Sequence, residues 1–411
     1  MQKRIAMISV HECPLASSEG KERGGINVYV YELSKALARQ GWQVDAFTRV
    51  QDDVNPRIVN VGGGFRVIHI ENGPHTPLSK DAILQALPEF AANMRAFIES
   101  EGKSYDLMHG HYYLSGEVAS MVRQTHPIPV VMTFHTLGLM KALVSRSSNS
   151  EDPKERIPME RRLAGSLDLF FTSSDMGKEY LTTLYDTPTD KIVTIPPGVD
   201  TGLFAPMPRD VAKKHIGADP DHHIILAVGR MDPVKGFDVL LVALKTLIKR
   251  HPEYLDNVCL WIVGGDIGQD KALWSRELKK LEHLRQELGL LATVKFIRPK
   301  PQEELPYYYN AADVLVMPSH YESFGMVALE ALACNTPVIA TDVTGISPIL
   351  KELPQGHIIS ANNPLVLAHE IDAVLRTPHH RSLTVPQLDR LNWDSVAKKM
   401  SEAYERVIRT A

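Results

Sequence analysis

The sequence predicts an α/β protein built from two domains. The chain has 411 residues, which exceeds one typical hydrophobic core and suggests two domains of roughly 200 residues each. Short apolar runs alternate with helical segments along both halves, as in βαβ units whose strands form parallel sheets. A segment between Tyr185 and Pro208 is rich in proline and separates the two series, because prolines interrupt regular structure.

The composition is that of an ordinary globular protein. Hydrophobic residues make up 44% of the chain and charged residues 23%, both near the usual values. A net charge of −4 gives no general signal for nucleic acid or a membrane surface. The N-terminal segment is too polar for a signal peptide, and no long apolar span follows it. We therefore expect a cytoplasmic protein with no nucleic-acid or membrane partner.

The cysteines and histidines do not predict a metal site. Three cysteines lie far apart and match no zinc motif: Cys13, Cys259 and Cys334. We expect them to be buried thiols in a reducing compartment. Three histidines lie near predicted strand ends, at His109, His111 and His135, but no carboxylate or cysteine recurs near them at metal spacing.

The N-terminal half begins with a βαβ unit. Arg4–Val10 is an apolar strand, Val28–Arg39 a helix that Asn27 can cap, and Val44–Thr48 the next strand. The glycines between them do not form the G-x-G-x-x-G pattern, which disfavours a dinucleotide cofactor. The Gly24–Gly25 pair can let backbone N–H groups approach a phosphate, although a plain surface turn has the same composition.

Further strands follow in this half, and several end in polar residues. A hairpin is followed by four apolar runs; the predicted strands are Ile58–Val61, Phe65–Ile70, Leu107–His109, Val130–Phe134, Leu169–Ser173 and Ile192–Ile195. In open α/β sheets, ligands bind off the carboxyl ends of the strands. We therefore expect substrate contacts from the histidines at these strand ends, although a histidine at a strand end is often structural.

Three basic residues lie at turns of the N-terminal half: Lys80, Lys141 and Arg156. Each one alone has the character of a solvated surface charge. Together with the Gly24–Gly25 loop, they form a set that can bind an acidic acceptor such as a sugar phosphate.

The C-terminal half begins with a strand at Ile224–Val228, a loop at Gly229–Gly236 and a helix from about Phe237 to Lys249. Arg230 and Lys235 therefore lie between a strand and a helix. Two cations flanked by glycines suit a diphosphate, whose charge they neutralise as it leaves. The Walker pattern G-x-x-x-x-G-K-[ST] is absent, which excludes a P-loop nucleotidase.

The remaining strands of this half precede further loops. Val258–Val263 is followed by Gly264, and Val294–Ile297 by Arg298, whose backbone can contact a base. Val338–Ala340 is another strand, and the tail from Trp393 to Ala411 is an amphipathic helix.

The stretch Ser319–Ala331 is the centre of the predicted site. It follows the buried strand Val314–Met317 and contains a helix that starts near Gly325. The helix N-terminus offers an anion site made by four backbone N–H groups: Phe324, Gly325, Met326 and Val327. Glu322 precedes the helix and Glu330 lies about two turns into it, so a sugar nucleotide can reach both. An ordinary solvated helix with two surface carboxylates is an equally good reading of this stretch alone.

Several motifs together resemble the retaining glycosyltransferases of family 4, which belong to the GT-B group. In the C-terminal half these are GRMDPVKGFD, IVGGD and ESFGMVALEA; in the N-terminal half they are GGINVYVYELSKALARQG, HGHYYLSG and TFHTLGLMK. The resemblance covers nearly the whole chain. Within the family, the chain resembles bacterial sucrose-phosphate synthases and the glycosyltransferase of mycothiol synthesis, and TFHTLGLMK followed by ERIPMERR favours the former.

The resemblance implies a GT-B architecture. Two Rossmann-like domains would face each other across a cleft, and the C-terminal helix would cross back to the first domain. The expected divisions are an acceptor-binding domain at residues 1–205, a nucleotide-sugar domain at 206–385 and the helix at 386–411.

The resemblance also implies roles for individual residues. Arg230 and Lys235 would contact the diphosphate, Glu330 the ribose and Glu322 the glucose hydroxyls, while His135 would lie near the reacting sugar. The expected catalytic set is His135, Arg230, Lys235 and Glu322. The donor site would comprise Gly24, Gly25, Gly229, Arg230, Lys235, Gly264, Arg298, Glu322, Phe324, Gly325, Met326, Val327 and Glu330. The acceptor site would comprise Gly25, Lys80, His111, Tyr112, Thr136, Lys141 and Arg156. Arg298 replaces a glycine common in relatives, which leaves the base contact open.

The implied reaction moves glucose from UDP-glucose or ADP-glucose to fructose 6-phosphate with retention, without a cofactor or metal. A double displacement needs a carboxylate nucleophile about 5 Å from a second acid or base, and no motif carboxylate fills that role. The resemblance instead implies front-face attack. No D-x-D-x-T motif occurs, so we expect a separate phosphatase to act on the product. Alternatives are N-acetylglucosamine transfer to inositol phosphate, a sucrose synthase, a UDP-sugar epimerase and a sensor without turnover.

Overall fold

The computed structural model describes residues 2–15, 25–144, 152–265, 267–268, 271, 274–343, 345–360, 362–377 and 386–410. These residues form two compact units. Unit 1 holds the described residues up to Gly198 and those from Trp393 onward, and unit 2 runs from Val199 to Asn392. Both are layered α/β structures, which confirms the predicted fold class.

The strands of unit 1 are β1 Arg4–Ile8, β2 Gln43–Arg49, β3 Ile58–Gly62, β4 Phe65–Ile70, β5 Leu107–His111, β6 Val130–Thr133, β7 Leu169–Thr172 and β8 Ile192–Thr194. Those of unit 2 are β9 His223–Val228, β10 Val258–Val263, β11 Val294–Ile297, β12 Val314–Met317, β13 Val338–Thr341 and β14 Gly356–Ile359.

The helices of unit 1 begin with α1 Gly25–Arg39, α2 Lys80–Glu101, α3 Tyr113–Arg123, α4 Gly138–Val144, α5 Arg156–Ser166 and α6 Asp175–Tyr185. Those of unit 2 are α7 Arg209–His215, α8 Phe237–Arg250, α9 Arg276–Glu287, α10 Leu305–Ala311, α11 Met326–Ala333, α12 Ser347–Lys351 and α13 Pro364–Arg376. Unit 1 ends with α14 Trp393–Thr410. Short 3₁₀ turns lie at Thr189–Lys191, Pro233–Lys235, Pro252–Tyr254 and Pro386–Leu391.

The sheet of unit 1 has the strand order β3-β4-β2-β1-β5-β6-β7-β8. Only β3 runs antiparallel to its neighbour, β4, which confirms the predicted hairpin; the other paired strands are parallel. Strands β1 and β5 are buried on both faces, as expected when helices cover a parallel sheet. From β1, the strand order continues on one side through β2 and on the other side through β5. The ends of β1 and β5 therefore lie at the switch point where such sheets bind ligands.

Helices α1 and α14 pack together on one face of this sheet. The buried side chains of α14 recur at helical spacing: Trp393, Val396, Ala397, Met400, Ala403, Tyr404 and Val407. The Tyr404 hydroxyl reaches His109 Nδ1 at 2.7 Å, and Trp42 Nε1 donates to the Ser401 hydroxyl at 2.9 Å. The last helix of the chain therefore completes the core of unit 1.

The sheet of unit 2 has the order β11-β10-β9-β12-β13-β14, and all of its pairs are parallel. This is the 3-2-1-4-5-6 order of Rossmann-like folds, in which the switch point lies between the first strand and the fourth. Here those strands are β9 and β12. One hydrophobic cluster contains residues of α8 and α13, and another contains residues of α10, α11 and α12.

The chain passes between the units at 198/199 and at 392/393, whereas the sequence suggested 205/206 and 385/386. The core of unit 2 explains the observed positions, because it includes Val199, Phe204 and Leu391. Trp393 belongs instead to the core of unit 1. Packing, rather than the prolines, sets where one unit ends.

The start of α1 differs from the prediction. The helix begins at Gly25, so Asn27 lies in its first turn instead of capping it. Asn27 is 3% exposed, and its side-chain amide donates to the Cys13 carbonyl at 3.0 Å. A buried amide needs a partner, and this tertiary hydrogen bond takes the side chain away from a capping role; the prediction was wrong.

Candidate active site

Three loops converge at the carboxyl ends of β9, β10 and β12 in unit 2. Gly229 N donates to Val263 O at 3.0 Å, which joins the ends of β9 and β10. His320 N donates to Val234 O at 2.7 Å, which joins the loops that follow β9 and β12. The sequence-predicted donor residues of these loops are thereby brought to one edge of the sheet, at its switch point.

Glycines make this convergence sterically feasible. A Cβ atom on Gly264, whose φ is +135°, would collide with the carbonyl oxygen of Gly229. One on Gly236, whose φ is +67°, would collide with the carbonyl oxygen of Pro318. Residues with side chains therefore do not fit where the backbones meet, and each glycine also adopts the left-handed region.

Lys235 and Glu322 form an ion pair between two of these loops. Lys235 closes the 3₁₀ turn that Asp232 caps, with the Asp232 carboxylate accepting from Val234 N at 3.0 Å. The side chains of Lys235 and Glu322 are 22% and 17% exposed, so a ligand can reach both. The sequence suggested separate partners for them, the diphosphate and the sugar; in this structure each neutralises the other.

The predicted helix after β12 is α11, and Gly325 at its N-cap has φ +103°. The Gly325 carbonyl accepts from Ala328 N at 3.0 Å, which closes the first turn. Phe324 is buried, while Met326 and Val327 are partly exposed. The first N–H groups of a helix have no partner within it, so this end of α11 presents donors to an anion.

Glu330 lies within α11, is 7% exposed and accepts a hydrogen bond from the Tyr309 hydroxyl at 2.6 Å. Burial raises the pKa of Glu330 to about 7, because the charged carboxylate loses its hydration. Tyr309 did not emerge from the sequence as a site residue. Its position in α10, one element before β12, gives no local signal of this contact.

Two cations of the predicted donor site are exposed. Arg230 follows Gly229 and is exposed. Arg298 is exposed as well, and its Nε donates to Ile267 O at 2.7 Å. That hydrogen bond holds the guanidinium on the loop after β10.

A chain of histidines lies at the ends of β5 and β6 in unit 1. His111 Nδ1 and His135 Nε2 are 3.0 Å apart, and His111 Nε2 lies 3.4 Å from the sulfur of Met7. A thioether sulfur only accepts, so His111 carries its proton on Nε2 and accepts at Nδ1 from His135 Nε2–H. His135 then has its lone pair on Nδ1.

His135 is partly exposed and has the unusual φ of +60°, which is uncommon for a non-glycine residue and costs energy. Desolvation lowers its pKa to about 3, and burial also holds the pKa values of His109 and His111 well below the usual range. All three imidazoles are therefore neutral near pH 7, and His135 acts there as a hydrogen-bonding group rather than as an acid.

The three predicted basic residues meet around one carboxylate, Asp152. Lys80 Nζ lies 2.5 Å from Asp152 Oδ1, Arg156 Nη1 2.7 Å from Oδ2, and Lys141 Nζ 3.4 Å from Oδ2. Arg156 also pairs with Glu160 at 2.7 Å. We call these five residues the basic cluster. The sequence analysis missed Asp152 and Glu160, although their spacing of four residues on either side of Arg156 is a signal of helical ion pairs.

Two further residues of the acceptor prediction, Tyr112 and Thr136, contact the basic cluster. Tyr112 precedes α3 with φ +74°, and its ring lies 4.9 Å from Arg156 Cζ and 5.8 Å from Lys80 Nζ. The Thr136 carbonyl accepts from Arg156 Nη2 at 2.8 Å. Gly25 is exposed at the start of α1, and Gly24 lies outside the described residues.

Within the described ranges, no group of three or more histidine, cysteine, aspartate or glutamate side chains could hold a metal ion. None of the helices described is both long and apolar enough to cross a membrane.

Two family models match the chain in succession. Residues 23–203 match Glycosyltransferase Family 4, and residues 208–386 match Glycosyl transferases group 1. Among curated proteins, a D-inositol 3-phosphate glycosyltransferase of Corynebacterium urealyticum is 36% identical over 98% of this chain and 95% of its own. The D-inositol 3-phosphate glycosyltransferase 2 of Catenulispora acidiphila is 33% identical over 99% and 96%.

Solved structures agree with the predicted architecture. Sucrose-phosphate synthase from Thermosynechococcus elongatus matches with a TM-score of 0.87 and 32% identity, over 100% of both chains. The Anabaena protein HepE, in complex with UDP and glucose, matches in fold with a TM-score of 0.73 at 18% identity, over 98% of this chain and 100% of that one. The chain therefore belongs to the family 4 glycosyltransferases of the GT-B fold.

Proposed function

We propose that this glycosyltransferase moves glucose from UDP-glucose to fructose 6-phosphate with retention, forming sucrose 6-phosphate. The gathering of Lys80, Lys141 and Arg156 beside Tyr112 carries the proposal, because three cations in one place suit a phosphorylated acceptor. The 32% identity with a sucrose-phosphate synthase over the whole chain supports the choice of sugar phosphate.

The donor would bind in unit 2, at the edge formed by the loops after β9, β10 and β12. Arg230, Lys235 and the N-terminus of α11 would hold the diphosphate, with Gly229 and Gly264 letting the backbones approach it. Glu330 would accept from the ribose hydroxyls, and Glu322 from the glucose hydroxyls. The backbone near Arg298 would face the base, and uracil rather than adenine is the expected base.

Transfer would proceed on one face of the sugar. The bond between C1 and the diphosphate oxygen breaks, the acceptor hydroxyl oxygen bonds to C1, and its proton passes to the leaving diphosphate. Arg230 and Lys235 would stabilise the charge on that diphosphate. His135, neutral near pH 7, would orient the sugar by hydrogen bonding. Neither a metal nor a cofactor has a role in this scheme.

Transfer to inositol phosphate is the second candidate, with N-acetylglucosamine as the sugar. The names of the curated relatives at 33% and 36% identity favour an inositol 3-phosphate acceptor. Both candidates use a phosphorylated acceptor, so the basic cluster serves either one. A separate phosphatase would act on sucrose 6-phosphate under the first proposal, and both proposals assume a cytoplasmic enzyme.

Product analysis separates the candidates. UDP-glucose and UDP-N-acetylglucosamine would each be incubated with fructose 6-phosphate, free fructose or inositol 3-phosphate, and with no acceptor. Sucrose 6-phosphate from the first acceptor alone is the expected result. Transfer to inositol phosphate would establish the second candidate, free sucrose would indicate a sucrose synthase, and a changed sugar without acceptor would indicate an epimerase. A run with ADP-glucose would test the base.

A further inference from the structure

We infer that Asp152 is a built-in counter-anion that occupies the place of the acceptor phosphoryl group and leaves when that group binds. The inference rests on the proposed phosphorylated acceptor and adds how the site selects its anion. It is carried by the contacts of Asp152 with all three basic side chains that the sequence marks for a phosphate.

The position of Asp152 is that of a bound anion. Its side chain is 7% exposed, and its two oxygens divide the cations between them: Oδ1 contacts Lys80, while Oδ2 contacts Lys141 and Arg156. These cations hold the pKa of Asp152 well below its usual range despite its burial. A phosphoryl group offers the same cations three acceptor oxygens.

The charges of the basic cluster favour an exchange over a simple addition. Lys80, Lys141 and Arg156 are opposed by Asp152 and Glu160, which leaves a net charge of +1. Release of Asp152 raises that to +2, which matches a phosphoryl dianion. If Asp152 stayed, its carboxylate charge and the phosphoryl charges would repel each other among the same cations.

A second observation points to a ligand at the same place. Tyr113 is fully buried, and among the described residues its hydroxyl has no hydrogen-bond partner. Its ring lies 5.4 Å from Arg156 Cζ, at the first position of α3. A buried hydroxyl without a partner is costly, and this one belongs to a side chain whose ring contacts a cation of the basic cluster.

An internal counter-anion makes the site selective. A weak or singly charged anion cannot displace a carboxylate that is tethered beside its cations, whereas a dianion with more acceptor oxygens can. Asp152 therefore suppresses binding of other anions and limits acceptors to those with a phosphoryl group. Removal of its charge should raise the affinity for any anion at this place.

The test measures the Kd of inorganic phosphate by calorimetry, without donor or acceptor, for the wild-type chain and three variants. Asp152→Asn removes the charge and keeps the shape. We expect its Kd for phosphate to be about tenfold lower than that of the wild type, which corresponds to a binding free energy more favourable by about 1.4 kcal/mol. Asp190→Asn makes the same change at an exposed site of unit 1 and should leave the Kd unchanged. Lys141→Met should raise the Kd.

An unchanged or higher Kd in a folded Asp152→Asn would overturn the inference and show that Asp152 only arranges the cations. If that variant does not fold, a crystal structure of the wild type with inorganic phosphate decides: Asp152 displaced from Lys80 and Arg156 supports the inference, and Asp152 still in contact refutes it. If the wild type transfers sugar to a phosphorylated acceptor and Asp152→Asn binds phosphate no more tightly than the wild type, this inference is refuted and the proposed function stands. No phosphate binding by any variant, and no transfer to a phosphorylated acceptor, refutes the proposed function as well.

Discussion

Glu330 is placed where binding and stability impose opposite demands on one carboxyl group. Its side chain is 7% exposed, and burial raises its pKa from the usual 4.5 to about 7. A raised pKa means that the folded state binds the proton more tightly than the unfolded state. The contribution of Glu330 to the free energy of unfolding is therefore complete below pH 4.5. It falls by about 3 kcal/mol in total as the pH rises to 7.

Glu330→Gln should stabilise the protein at pH 8 but weaken UDP binding. The glutamine keeps an acceptor for Tyr309 and removes the buried charge, so its advantage over the wild type should grow from pH 5 to pH 8. Loss of charged hydrogen bonds to the ribose should weaken UDP binding by about 10- to 100-fold. Urea unfolding at several pH values and UDP titration measure the two effects; parallel pH dependences in wild type and variant would contradict the assignment.

The ion pair between Lys235 and Glu322 predicts a separation of binding from transfer. Glu322→Gln frees the Lys235 ammonium from its counter-charge, so UDP should bind as tightly as before or up to about tenfold more tightly. The turnover number should fall, because the amide no longer accepts from the sugar hydroxyls as strongly. Product inhibition by UDP and steady-state rates give both quantities. Weaker UDP binding in a folded variant would show that Glu322 positions Lys235 instead.

Chemical type and local spacing are visible in a sequence, while pairing across elements is not. Lys235 and Glu322 could be named from the loops that carry them, but their ion pair depends on how the ends of β9 and β12 meet. Tyr309 and Glu330 belong to different helices, α10 and α11, and only the folded unit brings them to 2.6 Å. The sequence analysis did not identify Asp152 because this residue lies outside the family motifs, although its spacing of four residues from Arg156 is visible in the sequence.

At the scale of elements, the position of the donor loops depends on close backbone contact. Gly236 caps the C-terminal end of the 3₁₀ turn Pro233–Lys235 at φ +67°, and a Cβ atom there would collide with Pro318 O. Strand patterns in the sequence located β9, β10 and β12 well, because their apolar runs are buried. The contact between their loops has no sequence pattern beyond the glycines. The same limit applies to α1, whose start depends on the hydrogen bond between Asn27 and Cys13 rather than on local capping.

Gly236→Ala should destabilise unit 2 far more than Gly217→Ala. Both glycines have nearly the same φ, +67° and +65°, but nothing lies within 4 Å of a Cβ on Gly217. Gly217→Ala should therefore cost only the left-handed penalty of roughly 1 kcal/mol. Gly236→Ala adds a collision with backbone, should cost at least about 2 kcal/mol more by analogy with overpacking, and should weaken UDP binding. Denaturant unfolding compares them; equal losses would show that the loops separate freely.

At the scale of the whole molecule, the two units are not equivalent in the chain. Unit 2 is continuous between Val199 and Asn392, whereas unit 1 needs α14 from the end of the chain. That helix contributes large buried side chains: Trp393, Val396, Met400, Tyr404 and Val407. Each fully buried side chain of this size is worth about 1.5–3 kcal/mol, so their sum is comparable to the whole stability of a typical domain, about 5–15 kcal/mol.

A chain that ends at Asn392 should therefore lose unit 1 and keep unit 2. We expect calorimetry of residues 1–392 to show one of the transitions of the full chain, with UDP binding close to that of the full chain and no glycosyl transfer. Residues 199–392 alone should show the same transition and the same UDP affinity, which is the matched control.

Because α14 is an amphipathic surface that α1 and the sheet bind, a peptide of residues 393–411 added in excess should restore part of the lost structure. A shortened chain that unfolds as the full chain does would mean that α1 and the sheet form a stable core without α14. Loss of UDP binding by the shortened chain would mean that unit 2 depends on unit 1 for its fold.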